Sequence, residues 1–266
     1  MTPFTDLLAR LAPDAAAQHI DLPEDWLQGR TTYGGLTAAL CLQSVLNTVP
    51  DLPPLRSAQF AFLGPATGRL SLRPQTLRQG KSATFVAVDA EGEAGVAARA
   101  MLCFAAARPS QFDHRDVTPP DASHWDACPD FFGTAARPNF TRHFETRLAD
   151  MSGQRGGSPA LTVWARHVDG KAGGAFAALA ALGDTLPPPA LAVAATRFPI
   201  STMTWSFDVL DDAPDSASGW WLLHSKAESI VHGYSSQIMT LWNDIGQPVL
   251  RGRQTVAIFD AKPAAG

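Results

Sequence analysis

A chain of 266 residues, 45% of them apolar and only 17% charged, holds enough material for a large buried core in one domain or two. Its net charge of −4 excludes the basic stripe of a nucleic-acid binder, and no uncharged apolar window approaches the roughly 18 residues of a membrane span. The first residues, MTPFTDLLARLAPDAA, lack the basic-then-apolar order of a secretory signal, and Cys41, Cys103 and Cys128 form neither a disulfide framework nor a metal-ligand spacing, so a cytoplasmic protein with reduced thiols and no metal site is expected.

Residues 2–17 alternate Leu and Ala with acids and an Arg, which predicts a short amphipathic helix, and Trp26–Thr32 reads as a leading strand. Tyr33-Gly34-Gly35 then opens an apolar helix, LTAALCLQSVLNTV, stopped at Pro50. Four strands are expected next, at Leu55–Leu63, Arg69–Leu77, Ala83–Ala90 and Val96–Ala106, parted by GPATG, RQGKS and AEGEAG. Connections this short make them antiparallel. From Arg108 to Asn139, prolines, aspartates and a lack of periodicity predict a linker with one short helical turn. It divides the chain into residues 1–110, a connection over 111–139, and residues 140–266.

The second part repeats the first. Strands are expected at Phe140–Leu148 and Leu161–Val168, with SGQRGGSP between them. Gly173-Gly174 opens another helix, Pro187-Pro188-Pro189 follows it, and strands resume at Ile200–Leu210, Trp220–Ser229, Tyr234–Asn243 and Pro248–Phe259. Both parts thus read as Gly-Gly, a buried helix and four antiparallel strands, an α+β repeat in which a curved sheet wraps each helix.

The stretch Ala175 to Leu182 carries no charge and no strong hydrogen-bonding side chain, so this helix faces no water on any side. Its alanines admit a close neighbour, expected to be a sheet. At its end stands Asp184. A helix C-terminus carries partial negative charge, so an acid there gains nothing from the dipole and invites a functional explanation. On the last strand, Gln254 shares parity with Val256 and Ile258, so its amide points inward and must find partners.

The order and local motifs resemble the double-hotdog acyl-CoA thioesterases, whose members place two hotdog folds in one chain. In the first part the resemblance rests on Tyr33-Gly34-Gly35 and on LRQGKSATFVAVDAEGEAGVAARAMLCF. In the second it rests on VWARHVDG, ALGDTLPPP, ISTMTWSF and GWWLLHSKAES followed by HGYSSQIMTLWNDIGQPVLRGRQTVAIF, and it covers residues 20–260 apart from the linker. It implies a double hotdog fold and hydrolysis of an acyl-CoA to a free acid and CoA, with no cofactor and with pairing of double units open. It also implies a water held by an Asp of the second helix, a hydroxyl on the following strand and a Gln on the last strand.

Asp184 and Gln254 match the first and third of these positions. For the hydroxyl, one strand face carries Ser201, Met203, Trp205 and Phe207, and the other carries Thr202 and Thr204, so Ser201 and Thr202 both stand as candidates. Gly34 and Gly35 bring N–H groups toward a thioester or let helix and sheet pack closely. Arg78 and Lys81, at a hairpin tip, are candidates to meet CoA phosphates.

Other signals carry less. Gly80-Lys81-Ser82 ends like a phosphate-binding loop, but Gln75 stands where that motif begins with Gly, and a strand follows. Gly233 to Gln237 starts like a nucleophile elbow and lacks its closing Gly. His224 and His232 have no ligand spacing and read as structural, and Trp220, Trp221 and Trp242 read as core. Two rival functions remain at this point: a non-catalytic acyl-CoA binder, and an enoyl-CoA hydratase, which would pair a carboxylate with a His.

Overall fold

Each half builds its sheet on one helix, and the computed structural model describes this in residues 1–11, 17–133, 137–150, 158–194 and 198–259. The first half contains α1 (Phe4–Leu8), β1 (Gln18–Asp21), β2 (Leu27–Gln28), β3 (Thr31–Thr32), α2 (Gly34–Thr48), β4 (Leu55–Phe62), β5 (Arg69–Gln79), β6 (Ala83–Gly92) and β7 (Gly95–Ala105). The second contains β8 (Phe144–Asp150), β9 (Ala160–His167), α3 (Phe176–Gly183), β10 (Ile200–Val209), β11 (Trp221–Val231), β12 (Tyr234–Trp242) and β13 (Pro248–Ile258).

One antiparallel sheet of eleven strands joins the halves, in the order β1-β5-β6-β7-β4-β10-β13-β12-β11-β9-β8. The seam is the pair β4–β10, where Ala61 stands opposite Thr204, Phe60 opposite Trp205 and Ser57 opposite Asp208. Trp205 is 1% exposed at this seam and lies against Phe60 and Phe207, with ring centroids 5.6 and 4.9 Å away. The inner face of the sheet, α2 and α3 share one apolar core. Among the described residues no helix is long and apolar enough to cross a membrane.

The predicted helices and strands appear with small shifts, and the exceptions have local causes. The first helix ends at Leu8; residues 12–16 of that expectation lie outside the described residues, as does most of the SGQRGGSP loop. Gln18–Asp21, beyond the expected helix, is an edge strand paired with β5, and its buried Gln18 amide donates to Ser44 O (2.7 Å) and Thr48 Oγ1 (2.8 Å) on α2. Gly29, at φ 71°, folds the expected leading strand back on itself as the β2–β3 ribbon. The strand expected from Phe140 starts at Phe144. Pro138 opens a 3₁₀ turn, which stacks Phe140 on Tyr33 (4.0 Å) and His143 on Trp26 (3.7 Å).

The irregular connection is held down by tryptophans. Trp164, Trp220, Leu222 and Trp242 form a second apolar cluster on the outer face, covered by Val117, Ala122 and Trp125. Trp164 Nε1 donates to Ser123 O (2.9 Å) and Trp242 Nε1 to Val117 O (3.2 Å), so each indole buries its ring and keeps a partner. Trp221 lies in the main core.

Helix α3 has α2 as a close neighbour in addition to the expected sheet, from which His167 of β9 reaches Ala178 O at 2.9 Å. Tyr33, which precedes α2, donates its hydroxyl to Ala181 O, and a Cβ on Gly35 would lie 2.8 Å from that same oxygen. The alanines of α3 and the glycines of α2 therefore answer each other across the two halves.

Candidate active site

Helix α3 ends at Gly183, and Asp184 is its C-cap. The chain turns there so that the Asp184 carboxylate lands on the N-terminus of α2. That helix start lacks a side-chain cap of its own. The Gly35 N–H donates to the Asp184 carboxylate, and a Cβ on Gly34 would stand 2.9 Å from Asp184 Oδ2. An acid at the wrong end of its own helix thereby meets one of the free N–H groups and the positive end of another.

On the other side, Gln254 Nε2 donates to Asp184 Oδ1 at 2.6 Å. Gln254 is 5% exposed and points inward, as strand parity requires. Its Oε1 accepts from Gln237 Nε2 at 2.7 Å. The row is continuous in register: Trp205 on β10, Gln254 on β13 and Gln237 on β12 stand side by side on the inner face. Burial pushes the Asp184 carboxyl up to about 7, against the downward pull of the Gln254 and Gly35 hydrogen bonds. Burial and the same carboxylate hold the Tyr33 phenol well above its ordinary range, so it remains a donor.

Asp184, Gln254, Gln237 and Ser225 line a narrow cavity with Leu186 and Met239. The centre of a water molecule has about 10 Å³ there, room for one water. The raised carboxyl of Asp184 thus borders a space the size of one water.

The strand hydroxyls separate. Thr202 stands opposite Val256 and Thr204 opposite Thr255, so Met203 is an extra residue and the strand bulges. The bulge overturns the parity expected for β10. Thr202 shares the inner face with Val256 and Gln254, whereas Ser201 is exposed and turned away from Asp184. No hydrogen bond joins Thr202 to Asp184 among the described residues.

Gly34 and Gly35 do lie at the site, and both face close neighbours. Arg78 and Lys81 are exposed at the β5–β6 tip, beside the start of β4. That edge is toward the C-terminal end of α2, a helix of 15 residues and about 22 Å, so the structure does not bring them to Asp184. Gln237 and Tyr33 escaped the sequence reading. The parity that found Gln254 also puts Gln237 in line with the inward Met239 and Leu241.

His224 borders the cavity along β11, but its Nδ1 shares a hydrogen bond with Thr162 Oγ1 (2.9 Å). It alternates with Leu223 and Ser225, so its ring lies on the outer face with Leu222 and Lys226. Gly233 (φ 77°) and His232 (φ 52°) form the β11–β12 turn, so no nucleophile elbow exists there. No group of His, Cys, Asp and Glu among the described residues could hold a metal ion. In the first half, the inner rows of β6 and β7 carry Val86, Val88, Ala100 and Leu102, all buried and aliphatic.

Two helices meeting inside one antiparallel sheet, the end of one bringing a carboxylate to the start of the other, define a double hotdog protein with a site between its halves. The chain belongs to the acyl-CoA thioesterase family: residues 22–105 match the family's N-terminal domain and residues 113–258 its C-terminal domain. Among solved structures it is similar to a hotdog-fold protein of unknown function from Alicyclobacillus acidocaldarius, with a TM-score of 0.87, 22% identity and coverage of 97% of this chain and 98% of that one. It is also similar to a protein from Thermobifida fusca called a thioesterase II (TM-score 0.83, 17% identity, 98% of each chain covered). A third is an acyl-CoA thioesterase II from Mycobacterium marinum (TM-score 0.76, 17% identity, 97% and 99% covered). A comparison with curated proteins found no match.

Proposed function

We propose that this protein hydrolyses an acyl-CoA thioester to the free acid and CoA, with Asp184 as general base. The observation that carries this reading is the Asp184 carboxylate, pushed up to about 7 and held by Gln254 and Gly35 beside a space for one water. Family membership supports thioesterase activity in general.

In this mechanism Asp184 removes a proton from the water as its oxygen attacks the thioester carbonyl carbon. The carbonyl oxygen becomes an oxyanion, held by the N–H of Gly34 at the start of α2, where the absent side chain permits close approach. Collapse of the tetrahedral intermediate breaks the C–S bond, and the proton held by Asp184 passes to the departing CoA sulfur. Gln254 keeps the carboxylate aimed, and Thr202 is the hydroxyl on the reacting face. Ser201 has no part in this scheme. Enoyl hydration would need a proton donor opposite the carboxylate, and the outward His224 ring does not supply one.

The test is thiol release from acyl-CoAs of increasing chain length, with and without Asp184→Asn. Turnover that falls by about 10²-fold or more in the variant is expected. Full turnover in Asp184→Asn would remove Asp184 as base. Binding without thiol release by the wild type would make the protein an acyl-CoA binder.

A further inference from the structure

Gln237 is 2% exposed, borders the one-water cavity and touches no substrate group in the mechanism above. Its Nε2 is committed to Gln254 Oε1. A primary amide has a donor end and an acceptor end, so this bond decides which way Gln254 faces. With its oxygen occupied by Gln237, Gln254 can only present N–H to Asp184. Without Gln237, the Gln254 amide could turn its oxygen toward the carboxyl and favour the protonated acid, which is useless as a base.

The other end of Gln237 is also informative. Its Oε1 is buried with no hydrogen-bond partner among the described residues. A buried acceptor left unpaired carries a substantial desolvation penalty, and this one lies on the wall of a cavity with room for a water. Sequence spacing gives no other reason for a Gln at this inward position, where the neighbouring inward residues of β12 include Met239 and Leu241.

We infer that Gln237 is a positioning residue of the hydrolytic site: it fixes the polarity of the Gln254 amide, and its Oε1 accepts one O–H of the water whose other proton goes to Asp184. The inference rests on the hydrolysis proposed above only in its second clause. Asp184 is faced by the Gly35 N–H and the Tyr33 phenol from α2 and by the neutral Gln254 amide from β13. On β11 the His224 imidazole faces away, toward Thr162. Polarity of the amide chain is therefore the adjustable influence on the carboxyl.

The experiment titrates the Asp184 carboxyl by its infrared C=O band, assigned by its loss in Asp184→Asn, in the wild type, Gln237→Leu and Gln237→Glu. Leu removes the donor that locks Gln254. Glu, once ionised, accepts the Gln254 N–H and turns its oxygen onto Asp184. The midpoint is expected to rise in both variants, by about one pH unit in Leu and further in Glu. In acyl-CoA turnover, Gln237→Leu is expected to lower kcat by about 10- to 100-fold and change KM less than about twofold, with its acidic limb displaced upward by the same amount as the infrared midpoint. Unchanged midpoints in the folded variants overturn the inference. Displaced midpoints with a wild type that turns over no acyl-CoA leave the amide-polarity role standing and remove the hydrolysis reading alone. Displaced midpoints with an unaltered kcat in Gln237→Leu would remove the water-holding role.

Discussion

The carboxylate of Asp184 caps the helix start at Gly35, and the two residues come from opposite halves of the sheet. Within its own half Asp184 sits at the negative end of a short buried helix. Across the seam it sits at the positive end of a long one. The tertiary structure thus resolves an electrostatic conflict that the sequence leaves open, and it does so while burying the carboxylate beside a cavity.

Burial raises the Asp184 carboxyl from 3.8 to about 7. A base works in its ionised form, so kcat/KM should rise with pH through about 7 and level off above it. A pH–rate profile checks this. An acidic limb near 4 would mean that the carboxylate is solvated during turnover.

The same shift predicts an unusual stability profile. The folded state holds a proton on Asp184 up to about pH 7, whereas the unfolded chain releases it near 3.8. Between those values the native state binds more protons, so stability falls as pH rises. This penalty is absent below the unfolded value and complete above the folded one. Relative to the wild type, Asp184→Asn should gain on the order of a few kcal/mol between pH 4 and pH 8. Urea unfolding at the two pH values reads the difference, and no gain would contradict the burial of the charge.

The two glycines at the start of α2 should respond differently to Ala. At Gly34 the new Cβ would meet Asp184 Oδ2 at 2.9 Å and the Phe62 ring at 3.5 Å. A carboxylate can give way, so Gly34→Ala should fold normally and lose activity by about 10-fold or more as its base is displaced. At Gly35 the Cβ would meet Tyr33 Oη at 2.5 Å and the Ala181 backbone oxygen at 2.8 Å. Backbone yields less readily, so Gly35→Ala should destabilise by about 1–3 kcal/mol. Thermal melts and turnover measured together separate the two effects.

Trp205 ties the seam to the site. It is fully enclosed, stands opposite both Phe60 and Gln254, and its Nε1 donates to Met239 Sδ at 3.1 Å. Trp205→Ala should reduce stability by about 3–5 kcal/mol. Chemical denaturation checks the value, and a loss below 1 kcal/mol would show that the seam repacks.

Much of this was legible in the residues themselves. Apolar runs, Gly-Gly starts and turn residues marked both helices and the long strands, because burial periodicity is local. Asp184 stood out for being on the wrong side of a dipole, and Gln254 for its parity. The choice between Ser201 and Thr202 was not legible, because the bulge at Met203 carries no Gly or Pro to announce it and reverses which hydroxyl faces inward. Gln237 had the same parity signal as Gln254, yet its meaning lies in the register that pairs them across two strands. That α3 would meet α2 depends on how the halves join, and that Arg78 and Lys81 would lie toward the far end of α2 depends on strand order within the first half; no local pattern encodes either.

The aliphatic inner rows of β6 and β7 and the polar inner row of β12 and β13 occupy like places in two like sheets. The architecture has therefore divided its labour between twin positions. Under the proposed mechanism, changes at Val86, Val88, Ala100 or Leu102 should lower folding free energy and spare turnover, whereas changes at Gln237 or Gln254 should leave a folded protein that is slow. One scaffold, duplicated in a single chain, is free to let one copy serve as the foundation on which the other holds a buried and costly carboxylate.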